Sequence, residues 1–173
     1  QVGAITYSWR SLPGDAESIH KYCVDCNISA IELMGPTAEA FAGAPHTSTE
    51  PMRRGGRPEL SDEERAARAK AVAAWRSSVS MDKFEQIRKM YKDAGVTVYA
   101  YKPSALGENN TDAEIDYALR AAKALGASHV TVELPKEGAQ SKRLGLIANK
   151  HKIAVAYHGH LQQTITSSDE AIS

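Results

Sequence analysis

The sequence predicts an α/β protein built on a parallel sheet. Three observations carry this. Five short apolar runs alternate with segments of helical spacing along 173 residues. Charged or acid/base side chains stand where several of those runs finish. No glycine-rich phosphate loop follows the first run, and no G-x-G-x-x-G occurs anywhere. A doubly wound sheet would hold its ligand at such a loop, whereas chemistry at many strand ends favours a closed (β/α)8 barrel of the TIM type. A complete barrel needs roughly 250 residues, so this chain reads as the N-terminal five β/α units. It is taken as one partial barrel domain over 1–173, with an insertion at about 37–79.

Taken in order, Val2 to Ser8 reads as strand one. Pro13-Gly14-Asp15 is a turn whose aspartate caps a helix reaching about Cys26. Cys23 and Cys26 form a C-x-x-C pair, the spacing of a redox motif or half a zinc site. They also fall with Ile19 and Tyr22 at i, i+3, i+4, i+7, and that periodicity favours a buried helix face. Ser29 to Met34 is strand two, closed by Gly35-Pro36, with Glu32 on the face of Ala30 and Met34.

Thr37 to Leu60 looks irregular and carries the basic cluster Arg53, Arg54 and Arg57. A capping box at Ser61–Glu64 opens a charged, alanine-rich helix to about Ser77. This block would be a solvated loop and surface helix, or a lid whose arginines meet an anionic ligand; loop chemistry favours the first. Met81 to Ala94 is the next helix, Val96 to Tyr101 is strand three, and Lys102-Pro103 follows it. A second capping box at Thr111–Glu114 opens a helix ending at Gly126.

The chain is organised around 127–160. Ser128 to Pro135 is strand four and Ile153 to His160 is strand five, with helical spacing from Gln140 to Lys150 between them. Alternation puts His129, Thr131 and Glu133 on one face and Val130, Val132 and Leu134 on the other. In strand five His158 shares a face with Ala154 and Ala156. The bulky faces belong under covering helices. The small or polar faces end in Glu133 and His158. A buried, unpaired carboxylate is costly, so Glu133 is expected to meet a metal, a cation or a substrate group. A third capping box, Ser167–Glu170, begins another helix.

Lys+Arg and Asp+Glu both number 21, and neutrality excludes a bulk electrostatic drive toward nucleic acid or anionic membrane. No apolar run is long enough to span a bilayer. The chain opens at Gln1, which fits a processed or trimmed N-terminus and leaves cytoplasm or periplasm open. An open five-stranded sheet has exposed edges. The part in hand is therefore expected to be covered by a second copy, as a homo-oligomer, or by further residues, and to be inactive alone.

T-Y-S-W near the start, A-I-E-L-M-G, the T-D-A-E-I-D-Y-A-L-R-A-A-K-A-L-G-A helix, V-E-L-P and Y-H-G-H together resemble the sugar phosphate isomerase/epimerase family of the xylose isomerase-like barrels. Their order and spacing carry the resemblance over nearly the whole chain except the insertion. The resemblance implies a divalent ion (Mn, Zn, Co or Mg) at the mouth, held by Glu, Asp, His and Glu on strands five to eight. Strand five here ends in His158 instead of Glu, so His158, or Glu133 from the adjacent strand, would hold it, with the remaining ligands in the C-terminal part. It also implies proton transfer beside a carbonyl on a sugar. Glu133 and His158 would then be catalytic, with His160 as a substrate contact or proton carrier and Lys102 stabilising the oxyanion. Glu32 would bind sugar hydroxyls, and Tyr7, Trp9 and Tyr101 would wall the ring. Against these stand plainer roles: solvated charges at loop junctions for Lys102 and Glu32, core packing for the aromatics. The expected function is a metal-dependent sugar or keto-sugar isomerase or epimerase. A lyase or hydratase of the same fold, or a non-catalytic carbohydrate-binding barrel, is the alternative.

Overall fold

The computed structural model describes residues 2–51 and 60–159. Five strands, β1 (Gly3–Ile5), β2 (Ala30–Met34), β3 (Thr97–Lys102), β4 (His129–Glu133) and β5 (Ala154–His158), pair in the order β1-β2-β3-β4-β5, every pair parallel. Each new strand is laid beside the last. A doubly wound sheet reverses direction once and creates a switch point; this one never does. The winding is that of a (β/α)8 barrel, and the chain supplies five of its units.

The helices are α1 (Ala16–Asp25), α2 (Gly35–Phe41), α3 (Asp62–Ser78), α4 (Asp82–Asp93), α5 (Asp112–Leu125) and α6 (Gly138–His151). Their starts follow local chemistry. The Asp15 side chain accepts from the Ser18 N–H at 2.8 Å and so satisfies one orphan donor of α1. Both central capping boxes form: Ser61 with Glu64, and Thr111 with Glu114. Gly126 ends α5 at φ +79°, a conformation in which a Cβ is strained.

Two boundaries differ from the sequence reading. β1 stops at Ile5, and Thr6–Trp9 winds into a 3-10 turn instead of continuing as strand to Ser8. The Thr6 hydroxyl explains the turn: it donates to the Glu32 carbonyl at 3.1 Å and accepts from the Met34 N–H at 3.2 Å, tying the end of β1 to the end of β2. Gly35-Pro36 does not close β2 into an irregular stretch; it opens α2, with proline in the first turn where its missing N–H costs nothing. The stretch from Thr37 is helical as far as Phe41, against the irregular course its composition suggests. Arg53, Arg54, Arg57 and the Ser167–Glu170 box lie outside the described residues.

The core lies between sheet and helices. Ile31, Leu33, Val98, Tyr101 and Val130 from the strands meet Ile19, Phe84, Ile87, Tyr91, Ile115 and Leu119 from the helices, all of them buried. Cys23 joins this core and its burial pushes the thiol up to about 11, while Cys26 is exposed. The helical spacing placed both on the buried face; α1 ends at Asp25, and Cys26 at its C-cap turns out of the core.

One irregularity sets the inner face of the sheet. The β2–β3 register runs Ile31↔Val98 and then Glu32↔Ala100, skipping Tyr99. This β-bulge places Tyr99 and Ala100 on the same, inner side and turns Tyr101 outward under the helices. Tyr99 stacks near His129, with ring centroids 5.9 Å apart, whereas Tyr101 is fully buried in the core.

Candidate functional site at the strand C-termini

The inner face carries polar groups where the strands finish. Lys102 ends β3 and Glu133 ends β4. The Lys102 Nζ donates to Glu133 Oε1 at 2.8 Å. The pair stands at a solvent-reached rim, with side chains 21 % and 53 % exposed. Glu133 and His158 are register partners on adjacent parallel strands, and the Leu134 N–H donates to the His158 carbonyl at 3.1 Å. Neighbouring parallel strands lie about 4.8 Å apart, so carboxylate and imidazole project side by side.

Deeper on the same face, Thr131 donates its hydroxyl to Glu32 Oε1 at 2.6 Å. This bond joins β2 to β4 across β3. On β3 the register partner of Glu32 is Ala100, a small residue that the bulge brings to the inner face. Gly35 helps to place Lys102 from behind. A Cβ there would meet the Lys102 carbonyl at 3.2 Å and the Ser104 nitrogen at 3.1 Å, tighter than ordinary contact.

An open cleft of about 470 Å³ lies over the ends of β3 and β4. Its walls are the loop after β3, from Pro103 to Asn109, and the segment from Thr131 to Lys136, with Gln140 at the back. Thus Lys102 and Glu133, both expected at the site, share one cleft. Thr131, Lys136 and Gln140 join them; the sequence offered a signal only for Thr131, which alternation places on the Glu133 face.

The other expected residues scatter. Glu32 lies on the inner face beside Thr131 but does not line the cleft. His158 stands next to Glu133 in register and outside the cleft lining. Tyr7 is about half exposed, with the Arg10 guanidinium 4.9 Å over its ring. Trp9 packs against the core, 5.9 Å from Tyr22 of α1. Tyr101 is a correction: the bulge buries it among the helices, where it cannot wall a ligand on the inner face. His160 lies outside the described residues.

For a metal ion the described residues offer a partial donor set. Glu133 and His158 give one oxygen ligand and one nitrogen ligand side by side, a combination that suits Zn, Mn or Co. No cluster of three or more His, Cys, Asp or Glu suited to a metal occurs among the described residues, and a catalytic zinc ordinarily has three protein ligands. Any further donors would come from outside the described residues.

No protein-family profile and no curated protein sequence matches the chain. Solved structures do. The probable 3-DHS dehydratase AsbF of Bacillus anthracis superposes with a TM-score of 0.59 at 12% identity, over 100% of this chain and 60% of its own. A xylose isomerase domain protein of Planctomyces limnophilus gives 0.54 at 12% identity, over 99% and 58%. D-psicose 3-epimerase, crystallised with D-fructose, gives 0.50 at 12% identity, over 99% and 60%. These likenesses show the fold alone: the parallel β/α winding is shared with these proteins. The chain spans about three fifths of the length of these proteins.

Proposed function

We propose that the full protein is a sugar or keto-sugar isomerase or epimerase that moves a proton on the carbon next to a carbonyl. One observation carries the reading: a carboxylate and an ammonium, Glu133 and Lys102, in contact at 2.8 Å over a cleft at the strand C-termini. That is where barrels of this kind place their chemistry.

The two groups divide the work. Glu133 takes the proton from the carbon, and the released electron pair forms the enediolate carbon–carbon double bond. Lys102 faces the former carbonyl oxygen, where negative charge collects. General-base catalysis is worth about 10²–10⁴-fold, and one preorganised donor at a developing oxyanion about 10²–10³-fold. Returning the proton to the former carbonyl carbon, while the neighbouring hydroxyl gives its own proton to the former carbonyl oxygen, isomerises the sugar; protonating the original carbon from its opposite face epimerises it. In the epimerisation His158, on the strand adjacent to Glu133, gives the proton from the opposite face. With a divalent ion bound, Glu133 and His158 would instead serve among its ligands, joined by donors from outside the described residues, and the ion would polarise the carbonyl.

The test uses the full-length protein with D-fructose and D-psicose in D2O. NMR should show deuterium entering at the carbon beside the carbonyl. Glu133→Gln should slow this about 10²-fold or more, as loss of a general base does. Exchange equal to the parent in Glu133→Gln would sink the assignment. A lyase reading is favoured by the superposition on the dehydratase. There the same enolate expels a β-hydroxyl as water, and the conjugated product would be seen as growing ultraviolet absorbance.

A further inference from the structure

The loop after β3 forms one wall of the cleft and is anchored to α6 by Gln140, which lines the back of the cleft, and by Arg143, which does not. Two α6 side chains hold it by its backbone. Gln140, 6% exposed, donates its amide to the Leu106 carbonyl at 3.0 Å. Arg143 donates to the Asn110 carbonyl at 2.6 Å and reaches the Glu108 carbonyl at 3.5 Å. Its guanidinium also meets Asp112 at 2.7 Å, at the start of α5, and the Gln140 side-chain oxygen at 3.3 Å. The carbonyls of alternate residues 106, 108 and 110 are thus turned toward α6. Ser104 and Leu106 to Asn109 of the same loop line the cleft. The Asn110 side chain completes the bracing: its oxygen accepts from the Gly107 N–H at 3.0 Å and its amide donates to Glu114 at 3.1 Å.

We infer that Arg143 is a positioning residue for this site, with Gln140 as its second: it sets the width of the substrate cleft by fixing residues 104–110 from behind. The inference rests on the proposed reading of the cleft as the sugar site. Arg143 does not line the cleft, so its effect on a ligand runs through the loop. A planar fork suits this task. It reaches a carboxylate and main-chain carbonyls together in fixed directions, which a lysine ammonium cannot reproduce. A loop held this way binds without paying again to be ordered.

Hydrogen exchange and kinetics on the full-length protein test this with parent, Arg143→Ala and Arg143→Lys. In Arg143→Ala, amides of 104–110 should exchange about tenfold faster or more, as for a locally opened segment, while those of α1 stay at the parent rate. Arg143→Lys should recover only part of the protection. With D-fructose as the probe, KM should rise about tenfold in Arg143→Ala, with kcat within about twofold, as for lost pre-ordering. Unchanged exchange in 104–110, or an equal rise in α1, would overturn the positioning role. So would a fall in kcat with KM unmoved. If the parent turns over neither sugar, the proposed activity fails, and the exchange rates still decide whether Arg143 holds the loop.

Discussion

Arg76 offers the sharpest test of the physical argument. It sits near the end of α3, 6% exposed. Its guanidinium bonds Glu39 of α2 at 3.0 Å and Glu114 of α5 at 3.0 Å. Glu39 is 3% exposed and also accepts from the Tyr117 hydroxyl at 3.3 Å. Burial pushes the Glu39 carboxyl above its ordinary value, and Arg76 and Tyr117 offset only part of that. In Arg76→Met, Glu39 stays buried with its cation gone. Breaking a buried pair in this way costs about 3–5 kcal/mol, a large share of the 5–15 kcal/mol that holds a typical domain together. With a urea m-value of about 2 kcal/mol/M, the unfolding midpoint of the full-length protein should fall by about 1.5–2.5 M. Glu39→Met/Arg76→Met should recover most of the loss, because an apolar pair of similar volume replaces the charges. The pH dependence has a definite sign. A carboxyl whose folded pKa is raised binds more protons folded than unfolded, so stability falls as pH rises from 4.5 through the folded value. Removing Arg76 should steepen that fall. A loss under about 1 kcal/mol at neutral pH, or a double variant as unstable as the single one, would refute the reasoning.

Four further outcomes can be checked. Asp15→Ala removes the α1 cap and should cost about 1 kcal/mol by chemical denaturation. Burial raises the Asp15 carboxyl, but the Ser18 hydrogen bonds outweigh it and hold the group below its ordinary 3.8; the capping stability is therefore present above that pH and lost as pH falls through the lower folded value. Lys102→Met should lower the rate of deuterium incorporation about 10²-fold while leaving the melting temperature within a few degrees, since the pair lies at an exposed rim. Gly35→Ala pushes a methyl against Lys102–Ser104 and should lower kcat more than stability, measured by turnover and thermal melt side by side. Tyr101→Phe should change stability by less than about 1 kcal/mol, because the buried hydroxyl has no hydrogen-bond partner among the described residues.

The sequence by itself determined the five strands and most of the helices, though not α2 or the turn at Thr6–Trp9. Alternation in His129–Glu133 divides a helix-facing side from a polar side because strand side chains alternate wherever no bulge interrupts them. Capping boxes at Ser61 and Thr111 start helices wherever they occur, since they satisfy the chain's own orphan N–H groups. Helical spacing put Cys23 in the core, and strand-end placement found Lys102 and Glu133 as candidates.

Only the tertiary structure decided which of these groups meet. The contact between Lys102 and Glu133 spans 31 positions and depends on the β3–β4 register. The bond from Thr131 to Glu32 spans 99 positions and requires β3 to lie between them, with Ala100 in register with Glu32. The bulge that supplies Ala100 there also turns Tyr101 into the core, a change of face with no local signature in V-T-V-Y-A-Y. Arg76 read as part of a charged surface helix until α2 and α5 closed around it. Local bonds follow from spacing along the chain; long-range pairs follow from register and packing, which exist only once the sheet has formed.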